Sequence, residues 1–366
     1  MNVHKRRHRP LGLCLALLAA TAAVAALLLS REMLHEPGQA SPIAMDPGAY
    51  RIHPGSNAVY AASESTFAVV SGSGWQLFDE QGLLIAADER PLDNPALDTS
   101  RAVSVFYSVG ESSLQLAYPD GNIKTLDTQE AIRFADVNEK GQLAVITDRE
   151  GYKGSVTVYD RQLQPLFRWD AGRDVPVCAR LSPKGRVAIA CLTEQGSRFL
   201  VFRTDREEPL AQRKAGGERI LDLAFLDEET TAILTDSALL LHSTEHGAVG
   251  SIYPEGEYPS LFDTGRDFAV LISMPERFGG RGTAAALSAG GKDLGTLPCH
   301  REILDISACG KHVLLLTGEE LILCSSRLEE LATLNTEQGT DFIYLRPDGT
   351  ALTAGSNGVE LYDFGC

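Results

Sequence analysis

An all-β fold assembled from a repeating four-stranded unit is predicted by three observations. Short apolar runs of the type TFAVVSG, AVSVFYSV, QLAVITD, RVAIACL, TAILTD, FAVLIS, HVLLLTG and TALTAG return along almost the whole chain. Each run follows a short turn rich in Asn, Asp, Pro or Gly, as in NEKG, SPKG and RPDG. Several are then followed by a strand that closes on an aromatic residue and an aspartate, as in WQLFD, SVTVYD and VELYD. β-branched runs closed by turn formers read as strands in an antiparallel meander. Taking the last apolar residue before each first turn as a landmark gives Ala62, Leu97, Val137, Leu181, Phe225, Leu261, Ile306 and Leu345, spaced 35 to 45 residues apart. Four strands per unit at that period predict a β-propeller, in which each blade must stack on its neighbours to bury a core.

The eight landmarks predict eight blades; seven result if NAVYAA (57–62) is not an inner strand. The last unit supplies three strands and ends at Cys366. Its fourth strand is expected from the N-terminal side, near 49–53.

The N-terminus reads differently. Residues 1–10 carry Lys5, Arg6, Arg7 and Arg9, and 11–29 form an apolar run without charge or proline. At ~1.5 Å per residue such a run approaches the ~30 Å of a bilayer interior. It is longer than the ~7–15 residues of a secretory apolar region. We therefore read 1–10 as a cytoplasmic basic tail, 11–30 as an uncleaved transmembrane signal anchor, 31–48 as a stalk and 49–366 as the propeller. The positive flank places the C-terminal domain outside the cell membrane. Beyond residue 31 the chain holds 28 Lys and Arg against 49 Asp and Glu, a net of −21. That charge opposes nucleic acid as a partner.

Known propeller signatures are sparse. Trp169-Asp170 is the one Trp-Asp pair, Gly-His is absent, and two tryptophans are too few for quinoprotein-type repeats. The stretches AIRFADVNEKGQLAVITDREGYKGSVTVYD (131–160) and LSPKGRVAIA (181–190), with Asn94-Pro95, resemble an uncharacterised family of membrane-anchored, propeller-like proteins of Gram-positive anaerobes, a domain of unknown function. The resemblance implies an anchored propeller and carries no activity or catalytic residues with it.

Candidate chemistry is thin. Cys299 and His300 are separated from Cys309 and His312 by a strand of ~20 Å, too far for one metal shell, so no metal site is assigned. The ectodomain cysteines 178, 191, 299, 309, 324 and 366 read as buried thiols rather than disulfides, because pairing geometry is strict. No cofactor motif is present. One residue before six of the landmarks stand Asp136, Arg180, Ala224, Ser260, Asp305 and Tyr344. Of these, Asp136, Arg180 and Asp305 are candidates to face the central channel, where paired carboxylates could act as general acid and base. Capping of turns or backbone within the channel is the competing role.

The remaining candidates sit on connections. Second-to-third-strand loops and blade-to-blade connections emerge on one face, and here they are long and rich in large or basic side chains. Tyr152, Lys153, Trp169, Arg277, Phe278 and Arg281 are assigned to a binding surface there, on the ground that Trp, Tyr and Arg dominate hot spots. The expected function is a non-enzymatic binding or scaffold module at the membrane, with an envelope protein or wall polymer as partner. An envelope-glycan hydrolase or lyase using channel carboxylates, and a structural subunit of an envelope or secretion assembly, are the alternatives.

Overall fold

The computed structural model describes residues 40–46, 48–53, 57–276 and 280–365. They form eight four-stranded antiparallel sheets, here blades 1 to 8 in chain order. The inner, second, third and outer strands of blade 1 are Val59–Ala62, Thr66–Ser71, Gly74–Asp79 and Leu84–Asp88. In blade 3 they are Ile132–Val137, Leu143–Thr147, Ser155–Tyr159 and Pro165–Asp170. In blade 4 they are Val175–Leu181, Arg186–Thr193, Gly196–Arg203 and Ala211–Gly216. Every inner strand touches the next, and that of blade 8 touches that of blade 1, so the ring is closed. Eight blades, not seven, make it.

Hydrophobic burial explains the pattern. The second strand of a blade is covered on both sides by neighbouring blades, and Thr66–Ser71, Ser104–Ser108 and Leu143–Thr147 are buried at every position. Strands buried on both faces read as continuous apolar runs, whereas half-solvated ones alternate. The outer strand Ile123–Asp127 alternates accordingly. The core is divided into eight clusters among the described residues, one between each pair of adjacent blades. Between blades 1 and 2 Trp75 stacks on Phe106 with centroids 4.2 Å apart, and its Nε1 donates to Gln115 at 2.7 Å.

Turn chemistry follows the residues that announced it. Asn138 Oδ1 accepts the N–H groups of Lys140 and Gln142, and Ser182 Oγ accepts that of Arg186. The aspartates that end third strands do the same: Asp79 Oδ1 accepts from Gln81 and Leu83, and Asp160 Oδ1 from Gln162 and Gln164. These are Asx turns, in which a short side chain stands in for a backbone acceptor.

The ring closes at a different place from that expected. The outer strand of blade 8 is Ser41–Pro42, paired with Asp363 and Tyr362, and Ile43 N–H donates to Leu361 C=O. The propeller therefore takes in residues assigned above to the stalk at 31–48. Residues 49–53 form no strand because Tyr50 turns inward: its φ is 47° and it is buried. Its ring packs edge-on against Phe67, and its hydroxyl donates to Glu80 C=O at 2.8 Å. Gly82 faces it with φ 81°, and a Cβ there would lie 2.6 Å from the Tyr50 ring.

The apolar segment at 11–30 lies outside the described residues. Among those described, no helix is long and apolar enough to cross a membrane. Cys178, Cys191, Cys299 and Cys324 are buried free thiols, as the sequence reading held; Cys309 is half-buried rather than buried, and Cys366 lies outside the described residues.

Candidate functional site

An inner strand is the edge of its sheet, so half of its backbone N–H groups lack ladder partners, and buried donors need acceptors. The chain meets that need with side chains from the preceding blade. Asp98 Oδ2 accepts Val137 N–H at 2.8 Å, Asp136 Oδ2 accepts Leu181 N–H at 2.7 Å, and Asp263 Oδ2 accepts Ala308 N–H at 2.7 Å. Ser307 Oγ accepts Leu345 N–H at 2.9 Å. These donors and acceptors occupy matching register positions, each acceptor opposite the same point of its second strand. Arg180 holds that position in blade 4, and its Nε donates to Leu223 C=O at 3.2 Å. Two residues earlier on the strand, Asp305 repeats the device by accepting Ile343 N–H at 2.9 Å.

Arg180 is the hub of the channel charges. Its Nη1 lies 3.0 Å from Asp136 Oδ1, its Nη2 3.0 Å from Asp222 Oδ1, and its guanidinium carbon 5.1 Å from the centre of the Phe134 ring. Burial pushes the Asp136 carboxyl up to about 7, with the Asp98 carboxylate adding to the rise and Arg180 opposing it. Burial likewise raises Asp263 to about 6 and Asp305 to about 7. Burial works against the Arg180 charge, but Asp136 and Asp222 outweigh it and hold the guanidinium protonated. Beside this cluster a cavity of about 390 Å³ opens at the channel mouth, next to Ser100, Asn138 and Pro183.

The structure thus joins Asp136 to Arg180 and separates both from Asp305. Asp136 is in blade 3 and Asp305 in blade 7, on opposite sides of the ring. Asp136 and Asp305 therefore do not stand side by side as a carboxylate pair. Sequence reading missed Asp98, Asp222 and Asp263. Its landmarks at Leu97, Leu261 and Ile306 stand two or three residues short of Thr99, Thr264 and Ala308, the positions that match Val137 and Leu181 in register.

On the opposite face, Tyr152 and Lys153 lie in the loop between the second and third strands of blade 3. Tyr152 is exposed. Lys153 N–H donates to Ala171 C=O at 2.7 Å, and its own C=O accepts Arg133 Nη1 at 3.1 Å. Trp169 is half-buried and packs into the core between blades 3 and 4, its ring 5.7 Å from that of Phe202. Arg281 is exposed in the corresponding loop of blade 6. Arg277 and Phe278 lie outside the described residues. On this same face a cavity of about 440 Å³ sits beside the connection between blades 3 and 4, lined by Arg173, Asp174, Arg198 and Lys214.

A closed eight-bladed ring with stapled inner strands defines the chain as a β-propeller protein. It belongs to a family of unknown function, DUF5711, whose model matches residues 49–339. No curated protein sequence matches it. Among solved structures it is similar to the C-terminal WD40 domain of Sif2, at 12% identity and a TM-score of 0.60, over 83% of this chain and 95% of that one. It is similar to BamB from Moraxella catarrhalis at 12% identity and a TM-score of 0.56, over 89% and 98%. The computationally designed Ika8 protein is also similar, at 12% identity and a TM-score of 0.65, over 88% and 98%. At such identities the likeness is one of fold.

Proposed function

We propose that the protein is a non-catalytic binding or scaffold module. It is held to the cell membrane by residues 11–30 and engages an envelope protein or wall polymer outside the cell through the face that bears Tyr152 and Arg281. The single observation that carries the reading is the division of labour between the two ends of the ring. In the channel, Asp98, Asp136, Asp263 and Asp305 are committed to backbone N–H groups of the next blade. On the connection face, by contrast, Tyr152 and Arg281 stand exposed on a rigid frame. Loops held by a rigid frame are where propellers and other all-β domains place recognition.

The test is capture of partners from native membranes with the full chain. A variant with Tyr152, Lys153 and Arg281 replaced by alanine is compared with one altered at Lys140, Lys184 and Asp348 in the short turns. Loss confined to the first variant, with unchanged melting, is the expected result. Equal capture by both variants rejects the face. Protease added to intact spheroplasts should digest the propeller; full protection rejects the outward topology.

A further inference from the structure

We propose that the groove at the end of blade 4, beside its connection from blade 3, is a binding site for a small organic oxyanion, a phosphate- or carboxylate-bearing molecule with hydroxyl groups. The inference deepens the connection-face reading above and rests on it for the choice of face. The cavity, about 440 Å³, has the size of small-molecule sites.

Its walls gather Arg173, Arg198 and Lys214 on a domain whose charge is strongly negative. Arg198 and Lys214 are direct partners across the ladder between the third and outer strands of blade 4. Like charges directly opposite one another in an antiparallel pair destabilise it, so this pairing carries a cost that an anion between them removes.

The local counter-charge is insufficient. Asp174, nearly fully buried, holds Arg198 by a contact of 2.9 Å between Oδ2 and Nη2. That contact fixes the guanidinium in position, while Arg198 Nε stays buried without a hydrogen bond. Neither Arg173 nor Lys214 has an ion-pair partner among the described residues. With Glu194 at the rim, three cations face two carboxylates, which leaves the groove net positive. Charge-assisted bonds from Arg and Lys to oxyanions are the strong ones. Thr193, Gln195 and Ser197 complete the lining with hydroxyl and amide groups suited to a hydroxylated body. The site is closed on its inner side by the apolar core that contains Cys191, the ladder partner of Arg198.

The experiment titrates the purified full chain at low salt with glucose 6-phosphate, inorganic phosphate, citrate and, as a neutral control, glucose. Heat of binding and melting temperature are read. Saturable binding of a phosphate or of citrate, with a rise in melting temperature and no response to glucose, is expected. The phosphate and carboxylate arms tell the two oxyanion sources apart. Lys214→Gln and Arg173→Gln should each weaken that binding about tenfold or more. Lys214→Gln should also raise the melting temperature of the ligand-free chain by removing the like charge opposite Arg198 in the ladder. No saturable response to any anion up to about 10 mM, or a response unchanged in both variants, overturns the site. Partner capture through Tyr152, Lys153 and Arg281 is measured separately and can succeed where this titration fails.

Discussion

The Arg346 guanidinium donates from Nη2 to the Tyr50 hydroxyl at 3.1 Å, joining residues 296 positions apart in the chain. Tyr50 is inserted into the core between blades 8 and 1, against Phe67, Phe78 and Leu352. Its backbone N–H donates to Gly82 C=O. With Ser41–Pro42 it forms a two-point clasp, one point on each side of the closing interface.

Tyr50→Ala should therefore lower stability by about 3–5 kcal/mol, the usual cost of emptying a buried aromatic site. Tyr50→Phe keeps the ring and loses the hydroxyl contacts to Glu80 and Arg346, for a loss of about 1–3 kcal/mol. A chain beginning at Asn57 should melt lower than either and aggregate through the exposed edge of Gly358–Asp363. Denaturant titration of the three variants checks the order; an unshifted midpoint for the truncated chain would remove the clasp.

Removing the charge at the hub of the channel should be severe. Arg180→Ala removes the counter-charge of buried Asp136 and part-exposed Asp222, and above about pH 7, where Asp136 is ionised, breaking such a pair costs up to about 3–5 kcal/mol. Adding Asp136→Asn to that variant should recover part of the loss, because an amide still accepts Leu181 N–H without needing a counter-ion. Double-mutant thermodynamics reads the recovery. Additive losses in the double variant would show that Asp136 and Arg180 do not act as a pair.

Stability should depend on pH through the buried aspartates. Asp136 and Asp305 have carboxyls near 7 in the folded chain, against about 3.9 for an unfolded aspartate. The folded state therefore binds more protons than the unfolded state between about pH 4 and 7, and stability falls as pH rises through that window. Below about 4 both states are protonated, and the added stability is fully present. Denaturation midpoints at a series of pH values should show this slope, and Asp305→Asn should flatten it. A slope unchanged by that substitution contradicts the assignment.

Thiol reactivity provides an independent check on burial. Burial pushes the Cys191 and Cys324 thiols up to about 12 and raises Cys178 further. Thiolate is the reacting form, so these three should resist alkylation in the native chain and react fully only in denaturant. Peptide mass spectrometry after timed alkylation reads each site; rapid native labelling of Cys178 would place it nearer solvent than it is here.

Much of this architecture was legible because burial on both faces leaves a plain mark. The runs at Thr66–Ser71 and Leu143–Thr147 are buried throughout and apolar or small throughout, and the terminal aspartates of third strands carry out the turn chemistry their positions implied. The closing strand was not legible. Two residues, one of them Pro42, have no periodicity to read, and a proline is tolerated there because the strand is an edge. The inner-strand staples were half-legible for a related reason. Side chains alternate with period two, so an error of one residue in register turns a strand around. First turns of unequal length displaced the reading enough to find Asp136 and Arg180 but to pass over Asp98 and Asp263. Trp169 shows a third limit. Composition marks a large aromatic residue, but only the neighbouring blade decides that Phe202 half-covers it.

The clasp also has a mechanical meaning. The segment that seals the ring is the one through which the chain enters it, so tension arriving from the N-terminal side is delivered first to Ser41, Pro42 and Ile43. Only a short ladder against Leu361, Tyr362 and Asp363 resists it there. Behind that ladder stands Tyr50, wedged beneath Gly82 and tied to Arg346, as the second catch. A load strong enough to draw both would unfasten blade 8 from blade 1 before disturbing any other joint. The ring therefore has a predetermined point of opening where the chain enters it.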